Sequence, residues 1–325
     1  MIIHGITIIL FLFLYVIAIV IGRSRNLFAA VMLSGIFSLI SACLFVIMDA
    51  VDVAFTEAAV GAGVSTVLMM IVLNLTSDRE SPPVQPKVFP LLVALLTGGV
   101  LIYATKDMPA FGDPEALIHQ SQTTNHYLWH SFEESHIPNV VTTVLASYRG
   151  YDTLGETTVV FTAAVAVMLL LGHVRESETP PKLINDPIAL VGAKMLIPYI
   201  LLFALYVQFH GDFGPGGGFQ AGVMFAAAFV LHGMVLSPKH TLKAAPALII
   251  EKLVALGVLL YAAVGIYCLF KGGNFLEYDV LLSHGEKPNP HGQHIGILLV
   301  EAGVGLTVFA AMLTLFYKFA LRGKA

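Results

Sequence analysis

The chain has 325 residues, of which 57% are hydrophobic and only 12% charged, with a formal net charge of −4. A water-soluble globule carries roughly twice that charged fraction. A soluble enzyme, a nucleic-acid binder and a disordered chain are therefore excluded, and the composition points to an integral membrane protein. Net acidity leaves no basic patch for nucleic acid. The two cysteines, Cys43 and Cys268, lie in apolar runs and offer neither a disulfide framework nor a cysteine metal site.

A membrane-spanning helix needs about 20 mainly apolar residues. Nine such stretches are predicted in chain order: 2–22, 27–48, 52–75, 88–105, 156–173, 187–208, 217–236, 247–270 and 294–317. The first is longer than the apolar part of a signal peptide, lacks a basic segment before it and is followed by Arg23 and Arg25, so it reads as a retained span. Most connections are short, as in an all-α polytopic bundle of antiparallel neighbours. The exception is 106–155, which is long, polar and acidic. Within it, Pro138 to Gly150 predicts a short amphipathic helix ended by Gly150. Its apolar stripe is Val140, Val141, Val144, Leu145 and Tyr148, and its expected place is the outer rim or the interface. Thr153-Leu-Gly-Glu156 reads as a capping box opening the fifth span. Asp186-Pro187 supplies an N-cap and a first-turn proline for the sixth. Pro82, Pro83, Pro180 and Pro181 mark two linkers, the second dividing the spans into five plus four.

Basic residues set a direction. One side collects Arg23, Arg25, Arg79, Lys87, Arg175, Lys182, Lys239, Lys243, Lys318, Arg322 and Lys324, the other only Lys106, Arg149, Lys271 and Lys287. The positive-inside rule then predicts the N-terminus outside and the C-terminus in the cytoplasm.

Ionisable residues within spans are costly and usually face a bundle interior or a watery cavity. At 1.5 Å per residue, Glu57 lies about 7 Å and Glu301 about 10 Å below the outer ends of their predicted spans, and Lys194 about 10 Å in from the opposite side. Glu57-Ala-Ala-Val-Gly61 and Glu301-Ala-Gly-Val-Gly305 are nearly the same pentapeptide. In each, the glycine falls one turn deeper on the glutamate's face and leaves room for a neighbouring backbone or water. Desolvation lets such a carboxylate exchange protons near neutral pH, so both are candidate proton or cation carriers, against the plainer role of packing positions. Lys194 either snorkels to the interface or pairs with Glu251 on a proton path. Glu251 alternatively marks the interface. His232 has the intrinsic pKa of a relay but sits near a helix end. Glu156 is explained by its capping box as readily as by ion chemistry.

Gly211-Asp-Phe-Gly214-Pro215-Gly216-Gly217-Gly218-Phe-Gln220-Ala-Gly222 is either a re-entrant turn beside an ion site or a plain tight turn. It lacks the ending of a phosphate loop. His119, His126, His130, His136, His210, His284, His291 and His294 gather on the outer side. They read as a pH-responsive rim in preference to a metal centre, so neither metal nor cofactor is expected.

Three segments carry a family resemblance. Asp49-Ala-Val-Asp-Val-Ala-Phe-Thr-Glu57-Ala-Ala-Val-Gly-Ala-Gly63 resembles the MbhD-like module of Mrp-type antiporters, named for its membrane-bound-hydrogenase counterpart. Asn139-Val-Val-Thr-Thr-Val-Leu-Ala-Ser-Tyr-Arg-Gly-Tyr-Asp-Thr-Leu-Gly-Glu156 resembles the companion MbhE-like module. His210-Gly-Asp-Phe-Gly-Pro-Gly-Gly-Gly-Phe-Gln-Ala-Gly222 and the four helices around it resemble the MnhB (MrpB) subunit. The modules are expected over 1–80, 81–180 and 181–325, joined here without the large antiporter-like region. The resemblance implies a non-enzymatic membrane subunit of a multisubunit Na+/H+ antiporter in the bacterial cell membrane. Its partners would be other Mrp-type subunits, Na+, H+ and lipid. Glu57 and Glu156 would be the glutamates of the MbhD-like and MbhE-like modules that border the ion path, and the MbhD-like helix is similar to a bulged helix of complex I. The alternative is an ion-translocating component of a membrane-bound hydrogenase or related respiratory complex. A third reading is a scaffold that carries no ion.

Overall fold

A 31-residue helix at the C-terminal end organises the structure, a computed structural model that describes residues 2–81, 88–172, 184, 186–282 and 288–322. Among the described residues nine helices are long and apolar enough to cross a membrane. They are α1 (Ile2–Arg23), α2 (Leu27–Ile47), α3 (Val51–Leu73), α4 (Val88–Ala104), α5 (Gly150–Leu171), α6 (Pro187–His210), α7 (Gly218–Val235), α8 (Ala247–Phe270) and α9 (Pro290–Ala320). The expected nine-span all-α bundle is therefore present. The proline pairs Pro82/Pro83 and Pro180/Pro181, the basic residues Lys87, Arg175, Lys182, Lys287 and Lys324, and His284 lie outside the described residues.

Helix α9 is the axis, with Ile297, Val308, Ala310, Leu313 and Phe316 fully buried. Helices α7 and α8 pack on it through small residues. A β-carbon added at Gly222 would lie 2.5 Å from the Gly305 carbonyl oxygen, and one at Gly303 would lie 2.7 Å from that of Gly257. Lipid tails are as apolar as leucine, so helices in a membrane gain from close backbone approach where side chains are absent. Val64, Leu68 and Ile71 of α3 and Ala164 of α5 join the same core. Helix α1 packs mainly on α2, and α4 has no buried residue.

Two spans depart from the predicted regularity. Helix α3 is α-helical over Val51–Glu57 and Thr66–Leu73 but π-helical over Ala58–Ser65, in keeping with the implied bulge. Each turn of a π segment holds an extra residue, which rotates the side chains after it. The Thr66 hydroxyl donates to the Gly61 carbonyl, 3.0 Å away and five residues back. The second departure precedes α5. Residues Val140–Thr142 are α-helical and Thr143–Tyr148 π-helical, and α5 follows directly from Gly150. Gly150 therefore opens a helix where the sequence predicts it to end one. The inward face of this segment carries Thr142, Thr143 and Ala146, all buried, while Val141 and Leu145 of the predicted apolar stripe are exposed. The hydroxyls face the bundle, where backbone partners wait.

The early start of α5 also removes the capping box. Thr153 lies inside the helix, where its hydroxyl donates to the Leu145 carbonyl (2.8 Å). Asp186 does cap α6, accepting from the Ile188 amide at 2.8 Å. The stretch after α4 is filled by short helices at Leu117–Gln120, Gln122–Trp129 and Ser131–Ser135. There the Tyr148 hydroxyl donates to Glu134, and burial together with that carboxylate holds the phenol above its ordinary pKa.

The close α8–α9 contact makes Gly257→Ala costly, because the new methyl would run into Thr307 and the Gly303 carbonyl. We expect a loss of about 1–3 kcal/mol, read as a lower melting temperature in detergent. Gly98→Ala on α4, with nothing within 4 Å, should be neutral or slightly stabilising in the same assay.

Candidate functional site

The site begins with backbone that cannot satisfy itself. The turn between α6 and α7 dips into the bundle, and the Gly217 amide donates to the Val207 carbonyl ten residues earlier (3.0 Å). Gly217 has φ +116°, a conformation open to glycine. A β-carbon on Gly216 would lie 2.7 Å from the Val207 carbonyl. Gly214, Pro215, Gly216, Gly217 and Gly218 thus form a turn folded back against the end of α6. Its free carbonyls are taken by the middle of the chain. Asn139 donates from Nδ2 to both Gly211 O and Gly214 O (3.0 Å each), and Thr142 donates to Gly211 O (2.6 Å). From α3, Asp52 Oδ1 accepts from the Gly216 amide (3.1 Å). The break before α5 is answered from the other direction. Tyr261 of α8 donates to Gly150 O (2.7 Å), and the fully buried Tyr278 donates to Ala146 O (2.8 Å). Burial pushes the Tyr278 phenol up, so it remains a donor.

These bonds close around a cavity of about 300 Å3. Its polar lining is Asp52 and Thr56 of α3, Thr142, Thr153, Glu156 and Thr157 from the segment before α5 and from α5 itself, Gln220 of α7, Tyr261 of α8 and Glu301 of α9. Val141, Leu145, Ala146, Phe219, Val300 and Val304 supply apolar wall. Glu301 lies against the turn, since a β-carbon on Gly217 would sit 3.0 Å from its Oε1 and one on Gly211 3.1 Å from its Oε2. Asp52 and Asp212 are within its electrostatic reach. Glu156 is exposed, on the open side of the cavity. Three carboxylates from three parts of the chain thus face one space whose floor is backbone and hydroxyl. Carboxylate, amide and hydroxyl oxygens suit a hard monovalent cation, a proton or water. Among the described residues no three His, Cys, Asp or Glu side chains form a cluster able to hold a metal ion.

Glu57 lies elsewhere. A β-carbon on Gly61 would meet Ser38 Oγ at 2.5 Å and Glu57 Oε1 at 2.8 Å, so this carboxylate points toward α2. Gly61 admits the glutamate and a serine, whereas Gly305 admits the Gly218 backbone and Gln208 Oε1. The repeated pentapeptide therefore serves two different contacts. The suggested Lys194–Glu251 pair does not form: Glu251 is bonded to Lys318 of α9 (Nζ–Oε1 3.0 Å), and Lys194 is exposed. Depth along a helix is legible in a sequence, but the direction a side chain faces around the bundle is set by packing. His232 is half-buried, with Nδ1 2.9 Å from the Thr241 hydroxyl at the end of α7. Asp52, Gln220, Tyr261 and Thr142 were not singled out in the sequence. Asp52 falls in the first turn of its span, where a carboxylate is unremarkable.

The fold defines a multi-pass membrane protein, which in a bacterium resides in the cell membrane. Comparison with known families gives three consecutive matches. MbhD, the D component of MBH, matches residues 12–78, and MbhE, its E component, matches 114–183. The "domain related to MnhB subunit of Na+/H+ antiporter" matches 188–314. A probable K(+)/H(+) antiporter A/B protein of Rhizobium meliloti is 25% identical over 79% of this chain, which spans only 28% of that relative's length. A putative antiporter subunit mnhB2 of Staphylococcus epidermidis is 33% identical over 39% of this chain and 94% of its own. Among solved structures, the Mrp complex from Dietzia sp. DQ12-45-1b matches with TM-score 0.76 and 25% identity, over 98% of this chain and 35% of that one. The membrane-bound sulfane sulfur reductase, an archaeal respiratory membrane complex, matches with TM-score 0.56 and 27% identity, over 73% of this chain and 99% of its own. The chain belongs to the Mrp/Mnh-type antiporter subunit family, with MbhD, MbhE and MnhB domains in one polypeptide.

Gly217→Ala tests the turn. The substitution places a methyl on a positive-φ residue against Glu301, which costs of order 1–3 kcal/mol. It should lower the melting temperature and change the reactivity of Glu301 toward a carbodiimide. Gly155→Ala, with open space around it, should do neither.

Proposed function

We propose that this chain is a membrane subunit of a multisubunit cation/proton antiporter, with Na+ and H+ as the exchanged ions, and that its cavity is a section of the ion path. The observation that carries this reading is the meeting of Asp52, Glu156 and Glu301 in one cavity. A proton and a cation compete for such carboxylates, because each neutralises a charge that is costly to keep in a low-dielectric site. No covalent step is involved, and the chain acts by electrostatics and by the shape of the turn. Partners are the large antiporter-like subunits and small membrane subunits of an Mrp-type assembly, and the exposed apolar faces of α1 and α4 are available to them and to lipid. The loop between α4 and α5 faces outside in this reading, with the C-terminus in the cytoplasm.

Glu57 serves the same path from another face of α3. Asp52 lines the cavity and Glu57 faces Ser38 and Gly61, so α3 offers an ionisable group to each side. Glu251 near the start of α8 pairs with Lys318 near the end of α9, at the opposite end of the bundle from the turn. Lys194 and His232 are given no part in the cavity.

A second reading is ion translocation coupled to a redox partner. The likeness to the archaeal respiratory complex and the MBH-type domains support it. The partners decide between the two: tagged purification in mild detergent should bring down antiporter-like membrane proteins, whereas stoichiometric iron–sulfur or nickel–iron proteins would favour the redox assembly.

The direct test is cation-driven proton movement in everted vesicles carrying the whole complex. Glu301→Gln and Glu156→Gln should each reduce exchange by about a hundredfold or more, with the complex still assembled. Glu57→Gln should also impair exchange. Wild-type exchange in all three would leave the chain a scaffold.

A further inference from the structure

A second ionisable pair stands directly above the cavity. His294 of α9 contacts Asp212 of the turn between α6 and α7 through Nδ1 and Oδ2. The imidazole is 49% exposed and the carboxylate 8%, so the pair runs from the surface to the interior. His294 precedes Glu301 by seven residues, which is two turns on the same helix face and about 10 Å. Asp212 directly follows Gly211, and Glu301 Oε2 would lie 3.1 Å from a β-carbon placed there. The backbone holding Asp212 is fixed. Its carbonyl accepts from the Asn139 amide (3.1 Å), and that of Gly211 accepts from Asn139 and Thr142. An exposed base, a buried acid and the cavity carboxylate therefore follow one another inward.

We propose that His294 and Asp212 form the proton inlet to Glu301 from the face that carries residues 106–149. The proposal rests on Glu301 being an ion-path carboxylate, as argued above. Inward, a proton taken up by the imidazole leaves Nδ1 as an O–H bond forms on Asp212. That O–H bond then breaks as one forms on Glu301, across a bridging water beside Gly211. Outward, the same bonds break and form in reverse, with no change of oxidation state. Histidine is the side chain whose ordinary titration lies nearest neutrality. Burial pushes the Asp212 carboxyl up from its usual value while the adjacent imidazole pulls it down. Glu301 on α9 is within electrostatic reach of Asp212 and of Asp52 on α3, and His210 of α6 is turned to Gly214. Two further carboxylates on the inward side favour a proton moving toward the cavity over a fixed ion pair at its rim.

The test reads Glu301 itself. Dicyclohexylcarbodiimide reacts with protonated carboxyl groups, so labelling of Glu301, quantified by mass spectrometry in vesicles carrying the whole complex, reports its protonation. After a pH jump on the 106–149 face, wild-type labelling should follow that face. In Asp212→Asn and His294→Gln it should lag by about a hundredfold, and Asp212→Glu should restore much of the rate. Unchanged labelling kinetics in His294→Gln overturn the inlet, as does wild-type labelling that follows the opposite face. Should Asp212→Asn fail to assemble, His294→Gln decides alone, because its side chain is exposed. Labelling needs no antiport, so exchange retained by Glu301→Gln would count against the proposed function, while unaltered labelling counts against the inlet.

Discussion

The constraint on which the structure turns is that every backbone amide and carbonyl at membrane depth must find a protein partner. Regular helices meet it internally. This chain breaks its helices at two neighbouring places, the Gly211–Gly217 turn and the π segment before α5. The groups set free there are answered across the fold: Asn139 and Thr142 reach the turn, Tyr261 and Tyr278 reach the π segment, and Asp52 reaches Gly216. A buried polar group left without a partner costs about 1–3 kcal/mol. The breaks are thus tolerated only together, and each holds the other in place.

The same exchange of hydrogen bonds creates the site. A helix that continued unbroken through Gly211–Gly217 would carry side chains into Glu301. The turn instead presents glycine backbone to the carboxylate, and the space that remains is the cavity. Asp52 is part of the scaffold through one oxygen and part of the lining. Thr142 likewise binds the turn and lines the cavity. Structural and ionisable groups are not separable here, so a change in occupancy of the cavity acts on the bonds that position it.

Hydropathy made the spans legible because it depends on length and composition alone. The boundaries that failed were those set by tertiary bonds. Thr153-x-x-Glu156 has the form of a capping box, but α5 begins six residues before Glu156, since Tyr261 satisfies the Gly150 carbonyl. The stripe from Val140 to Tyr148 has helical spacing, yet its hydroxyl face turns inward because the turn supplies carbonyls to bind. Glu301 was legible as an intramembrane acid beside small residues, and the glycine segment as a turn of one kind or another. Asp52 was not, since a carboxylate in a helix's first turn reads as an ordinary end residue. Lys318, the partner of Glu251, was hidden for the opposite reason. It counted toward the basic flank of the last span, while α9 extends far enough for its ammonium to remain beside α8.

One polypeptide joins parts that no single matched domain completes. The cavity takes Asp52 and Thr56 from the MbhD-like region, Thr142, Thr153 and Glu156 from the MbhE-like region, and the turn, Tyr261 and Glu301 from the MnhB-like region. The Rhizobium meliloti relative carries a double A/B designation. Linking such parts fixes their ratio and converts each docking into an intramolecular step, which raises the effective concentration of the partners. The reciprocal bonds between the two broken segments gain most from this. A turn folded without Asn139 and Thr142 would leave the Gly211 and Gly214 carbonyls without those donors, and a π segment without Tyr278 would lose the donor to Ala146. Covalent connection keeps both halves of that exchange present whenever either one folds.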